Sequence, residues 1–289
     1  MREFLLFAKY GRSFDMQTSE IVLVGGSGKT GGRIIRRLEA RGLTVRAASR
    51  SSARPFDWED RSTWRGALQG ASSAYVAFQP DLAVAWAAEA IEALAKVAVE
   101  CGLEHIVLLS GRGEESAQRS EAALTASGID TTILRASWFC QNFSEGAFVE
   151  QIIGGRLQLP AGEIGEPFID TDDIADAAVA ALTDPRHRNQ TYELTGPRAL
   201  TFRQAVGEIA AAAGRPIEYQ QVSTADFTGG LAAAGLPHGL IDLLEELFGQ
   251  VLDGRNSNVM GGVTEILGRP ATDFSEYARQ TAATGIWSA

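Results

Sequence analysis

From residue 20 to about residue 135, short apolar runs alternate with longer stretches of helical periodicity. Ile21-Val22-Leu23-Val24 is apolar and β-branched, the composition of a parallel strand buried on both faces. Helical spacing follows over residues 33–43 through Ile34, Ile35 and Leu38. Further strands are predicted at residues 43–48, 74–78, 106–110 and 131–134. Helices are predicted at residues 60–68, from Asp81 to about Val99, and at 115–127, where Gly128 stops the last. Strands alternating with helices of this length predict an α/β fold: a doubly wound parallel Rossmann sheet with right-handed crossovers.

Beyond about residue 150 the pattern loosens. A short strand is predicted at 167–169, with Asp172 or Asp173 capping a helix over 172–182. A strand at 190–194 and a helix at 202–213 follow. Leu240, Leu243, Leu244, Leu247, Phe248, Val251 and Leu252 keep helical spacing and form one apolar face. That face reads either as core packing or as a lid over a hydrophobic pocket. The expected organisation is an N-terminal extension at 1–19, a Rossmann domain at 20–150 and a smaller, mostly helical substrate-binding region at 151–289. Some segments of that region are expected to return to the sheet.

The first strand leads into Gly25-Gly26-Ser27-Gly28-Lys29-Thr30-Gly31-Gly32. Gly25, Gly28 and Gly31 have the spacing of a dinucleotide loop, which needs a tight turn and close approach of backbone to a pyrophosphate. The start of the following helix supplies N–H groups and a favourable dipole. A triphosphate loop ending in Gly28-Lys29-Thr30 would need glycine where Leu23 stands. Lys29 is notable because Lys9 and Lys96 are the only other lysines. After the second strand comes Ser49-Arg50-Ser51-Ser52 rather than an acidic residue. An arginine fork there suits the 2′-phosphate of NADP(H).

Composition narrows the remaining classes. The 289-residue chain carries a formal charge of −10, which argues against a nucleic-acid surface. Its two cysteines and three histidines have no metal-ligand spacing, so no metal is expected and a reducing cytoplasm is. No segment approaches the roughly 18 apolar residues of a membrane helix. Nothing in the pattern sets an oligomeric state.

The chain resembles the NmrA-like, atypical short-chain dehydrogenase/reductases, in the branch of the ergot-alkaloid (festuclavine or agroclavine) dehydrogenases and their bacterial relatives. The resemblance rests on the glycine loop, Ala48-Ser49-Arg50-Ser51, Phe56-Asp57-Trp58-Glu59-Asp60, and Ile133-Leu134-Arg135 leading into Trp138-Phe139-Cys140-Gln141-Asn142-Phe143. It continues through Pro167-Phe168-Ile169, Asp172-Asp173-Ile174-Ala175 and Asp273-Phe274. It implies that Asp57 and Trp58 flank the adenine, that the loop after Phe78 follows the dinucleotide, and that Trp138, Phe139, Asn142 and Phe143 border the substrate. Ser110 stands where family members often have serine and is the weak catalytic candidate.

Ordinary short-chain dehydrogenases use Tyr-x-x-x-Lys, yet none of Tyr10, Tyr75, Tyr192, Tyr219 and Tyr277 has lysine four residues on. Ketone reduction needs a nearby acid. An iminium ion needs none, and a quinone or enone leaves charge on an oxygen that water can protonate. The expected activity is hydride transfer from NADPH to an iminium, quinone or activated alkene on a small hydrophobic or aromatic molecule. The alternative is a non-catalytic NADP(H)-sensing regulator of the same family.

Overall fold

The computed structural model describes residues 20–146 and 148–288; the expected extension at 1–19 lies outside them. Six parallel strands form the main sheet: β1 (Glu20–Val24), β2 (Val45–Ala48), β3 (Ala71–Val76), β4 (His105–Gly111), β5 (Asp130–Ala136) and β7 (Gln190–Leu194). Their spatial order is β2-β1-β3-β4-β5-β7. A second, two-stranded parallel sheet joins β6 (Arg156–Leu159) to β8 (Glu218–Gln221). The helices are α1 (Lys29–Glu39), α2 (Trp64–Leu68), α3 (Ala87–Glu100), α4 (Glu115–Thr125), α5 (Val149–Ile153), α6 (Thr171–Thr183), α7 (Phe202–Ala213), α8 (Thr224–Ala233), α9 (His238–Glu246), α10 (Gly262–Leu267) and α11 (Phe274–Ala283).

Strand alternation distributes the apolar side chains. Val22 and Val24 face a core closed by α2, α3 and α4, whereas Ile21 and Leu23 face one closed by α1, α6 and α10. A third core unites Phe143, Phe148, Phe168, Phe202, Phe248 and Phe274 with Leu157 and Leu159 of β6 and Tyr219 of β8. The chain reverses its winding between β1 and β3, which opens a crevice at the carboxyl ends of those strands.

Three local expectations need correction. The helix expected from Asp81 starts only at Ala87. Asp81 instead accepts the Ala83 N–H at 2.9 Å, a local turn that competes with helix. Residues 167–169 form no extended strand; Ile169 and Phe139 make a single parallel bridge. The cap of α6 is neither Asp172 nor Asp173 but Asp170, which accepts the Asp172 N–H at 2.8 Å. The two other aspartates pair with arginines, Asp172 at the surface and Asp173 buried. Asp172 meets Arg33 and Arg37 of α1, and Asp173 meets Arg269. The Asp172 pairs tie α6 to the helix that begins at the glycine loop, and the Asp173 pair ties it to the segment after α10.

Candidate active site

The crevice is a cavity of about 560 Å³. Four loops at the carboxyl end of the sheet supply most of its lining: residues 25–30 after β1, 77–82 after β3, 110–114 after β4 and 136–142 after β5. Leu240 and Leu244 of α9, with Leu247 and Val251 of the π-turn that extends it, close the opposite side. The apolar face therefore divides its work. Leu243, Phe248 and Leu252 are buried off the cavity, while Leu240, Leu244, Leu247 and Val251 line it.

The glycine loop is shaped for close approach. Gly25 has φ +84°, a conformation side chains disfavour. A Cβ on Gly31 would come within 2.7 Å of Gly26 Cα. The N-terminus of α1 follows Gly28 with no side chain capping it. Uncapped N–H groups and a backbone that admits no Cβ fit a bound pyrophosphate. Beneath the loop, Tyr75 donates to Thr30 Oγ1 at 2.8 Å; fully buried, this tyrosine supports the turn.

Of the residues expected from sequence, Gly25, Gly28, Lys29, Thr30, Phe78, Ser110, Trp138, Phe139 and Asn142 line the cavity together. Lys29 Nζ donates to Asn142 Oδ1 at 3.0 Å, which brings an expected cofactor residue against an expected substrate residue. Burial lowers the Lys29 pKa. Arg50 and Ser51 lie outside the cavity lining, exposed on the turn after β2. No acidic side chain pairs with Arg50 among the described residues, so its guanidinium is free for an anion.

Asp57, Trp58, Gly31 and Phe143 also lie off the lining. Trp58 packs in an aromatic row, with its ring 4.9 Å from Phe56 and 4.4 Å from Phe78. Asp57 offers its main-chain carbonyl to Trp64 Nε1 at 2.6 Å. Phe143 is fully buried among the phenylalanines of the third core. It supports the wall behind Trp138 rather than facing the cavity.

Ser110 donates to Glu121 at 2.6 Å. Arg135 clamps the same carboxylate at 2.6 and 3.0 Å. With its proton committed to an ion-paired carboxylate, the Ser110 hydroxyl is an acceptor toward the cavity and not an acid. No tyrosine is among the cavity-lining residues.

Sequence reasoning missed the polar residues of the 112–114 turn and those opposite. Arg112, Glu114, Ser137 and Glu166 all line the cavity. Arg112 bridges Glu193 at 2.9 Å and the Asn256 carbonyl at 2.6 Å. Burial pushes the Glu166 carboxyl up to about 7 against the pull of Arg112. The signal was Gly111-Arg112-Gly113-Glu114 at a strand end, a charged sequence where a buried strand feeds a loop.

A doubly wound parallel sheet with this loop at its switch point defines a Rossmann dinucleotide-binding protein. The NmrA-like family model matches residues 17–277, and the chain belongs to that family. It is 30% identical over 288 residues to the NAD(P)H azoreductase of Xenophilus azovorans, covering 91% of this chain and 98% of that protein. The agroclavine dehydrogenase of Claviceps fusiformis is 28% identical, covering 89% of this chain and 95% of its own. An NADPH-dependent quinone oxidoreductase of Escherichia coli, solved with NADPH, superposes with a TM-score of 0.73 at 24% identity. That match spans 90% of this chain and 99% of the other. No helix among the described residues is long and apolar enough to cross a membrane.

Proposed function

We propose that this chain passes hydride from NADPH to an iminium, quinone or activated alkene, without a Tyr-Lys pair. It is an NADP(H)-dependent oxidoreductase acting on a small aromatic or hydrophobic molecule. One observation carries the reading. A single cavity runs from the glycine loop to Trp138, Phe139 and the apolar lid, with no tyrosine on its lining. When bound, the dinucleotide supplies the hydride. The glycine loop holds its phosphates, and Arg50 is placed on the turn where a 2′-phosphate would be recognised.

Trp138 and Phe139 offer flat apolar faces to a planar acceptor, and the leucines of α9 exclude water. The bond from Lys29 to Asn142 fixes the boundary between the two subsites. Positioning then supplies most of the rate, as it does when the cofactor carries the chemistry. The names of the relatives, which include an azoreductase and an agroclavine dehydrogenase, support an unsaturated, planar acceptor. The free thiols of Cys101 and Cys140 support a reducing cytoplasm.

The test is NADPH oxidation by the purified protein against quinones, cyclic iminium ions, enones and simple ketones. Turnover of any of the first three is expected. Turnover of ketones alone would keep a reductase but overturn this mechanism. Silence throughout, with NADPH bound, would favour the sensor.

A further inference from the structure

The cavity holds a pair of acids that hydride transfer alone does not use. Asp81 follows β3 and Glu114 follows β4, so the parallel sheet brings the two carboxyl groups into one lining. They lie within hydrogen-bonding reach of each other. Both residues are half-buried, and Glu114 Oε2, itself shielded from solvent, accepts no hydrogen bond from any N–H or O–H among the described residues. The Glu114 carboxyl lies against Gly111, in the space a Cβ there would take.

The charged groups facing Glu114 are Asp81, Glu246 from α9 and Glu121 from α4. Arg112, its near neighbour, is committed to Glu193 and the Asn256 carbonyl. Two adjacent, half-buried carboxylates cannot both ionise cheaply, and one shared proton satisfies the orphaned oxygen as well. Burial and the neighbouring carboxylates raise the pKa of Glu114, and burial raises that of Asp81. Ser137 is an independent sign of a ligand here. It is 4% exposed, lines the same cavity, and its Oγ has no partner.

We infer that Glu114, sharing a proton with Asp81, is the proton donor for acceptors that become anions on reduction. This rests on the reductase reading above. With an azo acceptor, hydride and its electron pair add to one nitrogen and the N=N π bond breaks. The pair left on the second nitrogen takes the proton from the Glu114 carboxyl. One carboxyl O–H bond breaks and one N–H bond forms. The acceptor gains two electrons, the dinucleotide loses two, and the carboxylate recovers its proton from water. An iminium ion is neutralised by hydride alone, so the same site treats the two acceptor classes differently.

The experiment compares turnover of uncharged acceptors (an azo dye and a quinone) with turnover of a cyclic iminium ion, in the wild type, Glu114→Gln and Asp81→Asn. An infrared pH titration of the protein without dinucleotide gives a readout independent of activity. The expected spectrum contains protonated carboxyl absorption at pH 7, part of it from Glu166, and Glu114→Gln removes the share that belongs to Glu114. In the same variant the ratio of uncharged-acceptor to iminium kcat falls about a hundredfold, within the usual ~10²–10⁴ range for general acids. Asp81→Asn removes a neighbouring negative charge, so the alkaline limb of the uncharged-acceptor profile moves to lower pH. An unchanged ratio, or no Glu114-dependent band at pH 7, overturns the assignment. Silence toward uncharged acceptors alone overturns the donor role and leaves the reductase standing; silence toward every acceptor overturns both.

Discussion

Replacing Gly31 with alanine puts a methyl group where the first turn of α1 crosses the glycine loop. Its Cβ would lie 2.7 Å from Gly26 Cα and 2.9 Å from Gly26 C, and closer still to the Gly25 carbonyl oxygen. Ordinary contact begins near 3.4 Å, so loop and helix must part by at least about 0.7 Å. The obstacle is backbone and cannot swing aside. Overpacking of this kind costs ~1–3 kcal/mol, against which alanine regains up to ~1 kcal/mol of helix propensity. Net destabilisation is therefore about 0–3 kcal/mol.

The larger effect falls on the dinucleotide. Hydrogen bonds to charged groups contribute ~1.5–3 kcal/mol each, and losing one raises the NADPH Kd roughly 10- to 150-fold. Fluorescence titration with NADPH, run beside a thermal melt, separates the two terms. A folded Gly31→Ala protein that binds NADPH as tightly as the wild type would refute the cradle assignment.

Other consequences follow from the same geometry. Arg50→Glu replaces a free cation with an anion and should erode the preference for NADPH over NADH by roughly 10- to 150-fold, read from the ratio of kcat/KM values. Glu166 has its folded-state pKa raised to about 7, so its stabilising contribution is complete at low pH and is lost as pH rises through 7. Glu166→Gln should therefore gain about 2–3 kcal/mol relative to wild type between pH 5 and pH 8, measured by urea unfolding. Asp173 accepts from Arg269 at 2.6 Å and from the Thr272 N–H at 2.7 Å. Asp173→Ala should cost about 1–3 kcal/mol, mostly from the stranded N–H, since Arg269 stays hydrated; unaltered unfolding curves would rule that out.

The glycine loop, the strand at residues 21–24 and the helix at 202–213 were legible because each carries its signal locally. An apolar run, glycine spacing and a terminating Gly214 act within a few residues. The strands β6 and β8 were not legible. Arg156–Leu159 and Glu218–Gln221 have four residues each, the second with Tyr219 as its one buried side chain, and each becomes a strand only by pairing with the other. The cap of α6 was misplaced because Asp170, Asp172 and Asp173 offer three carboxylates in four positions. Which of them caps depends on Gln141, which donates to Asp170 at 2.7 Å, and on the arginines that claim the other two.

By itself the sequence determined the doubly wound sheet, the glycine loop and the family, because periodicity and glycine spacing act through neighbouring residues. Tertiary structure alone decided how the site is built. It buried Phe143 behind the wall, turned the Ser110 proton onto Glu121, and set Glu114 beside Asp81. Each of these depends on residues from different strands meeting at the carboxyl edge of one sheet. Burial there, not residue type, sets the proton affinity of a carboxyl group.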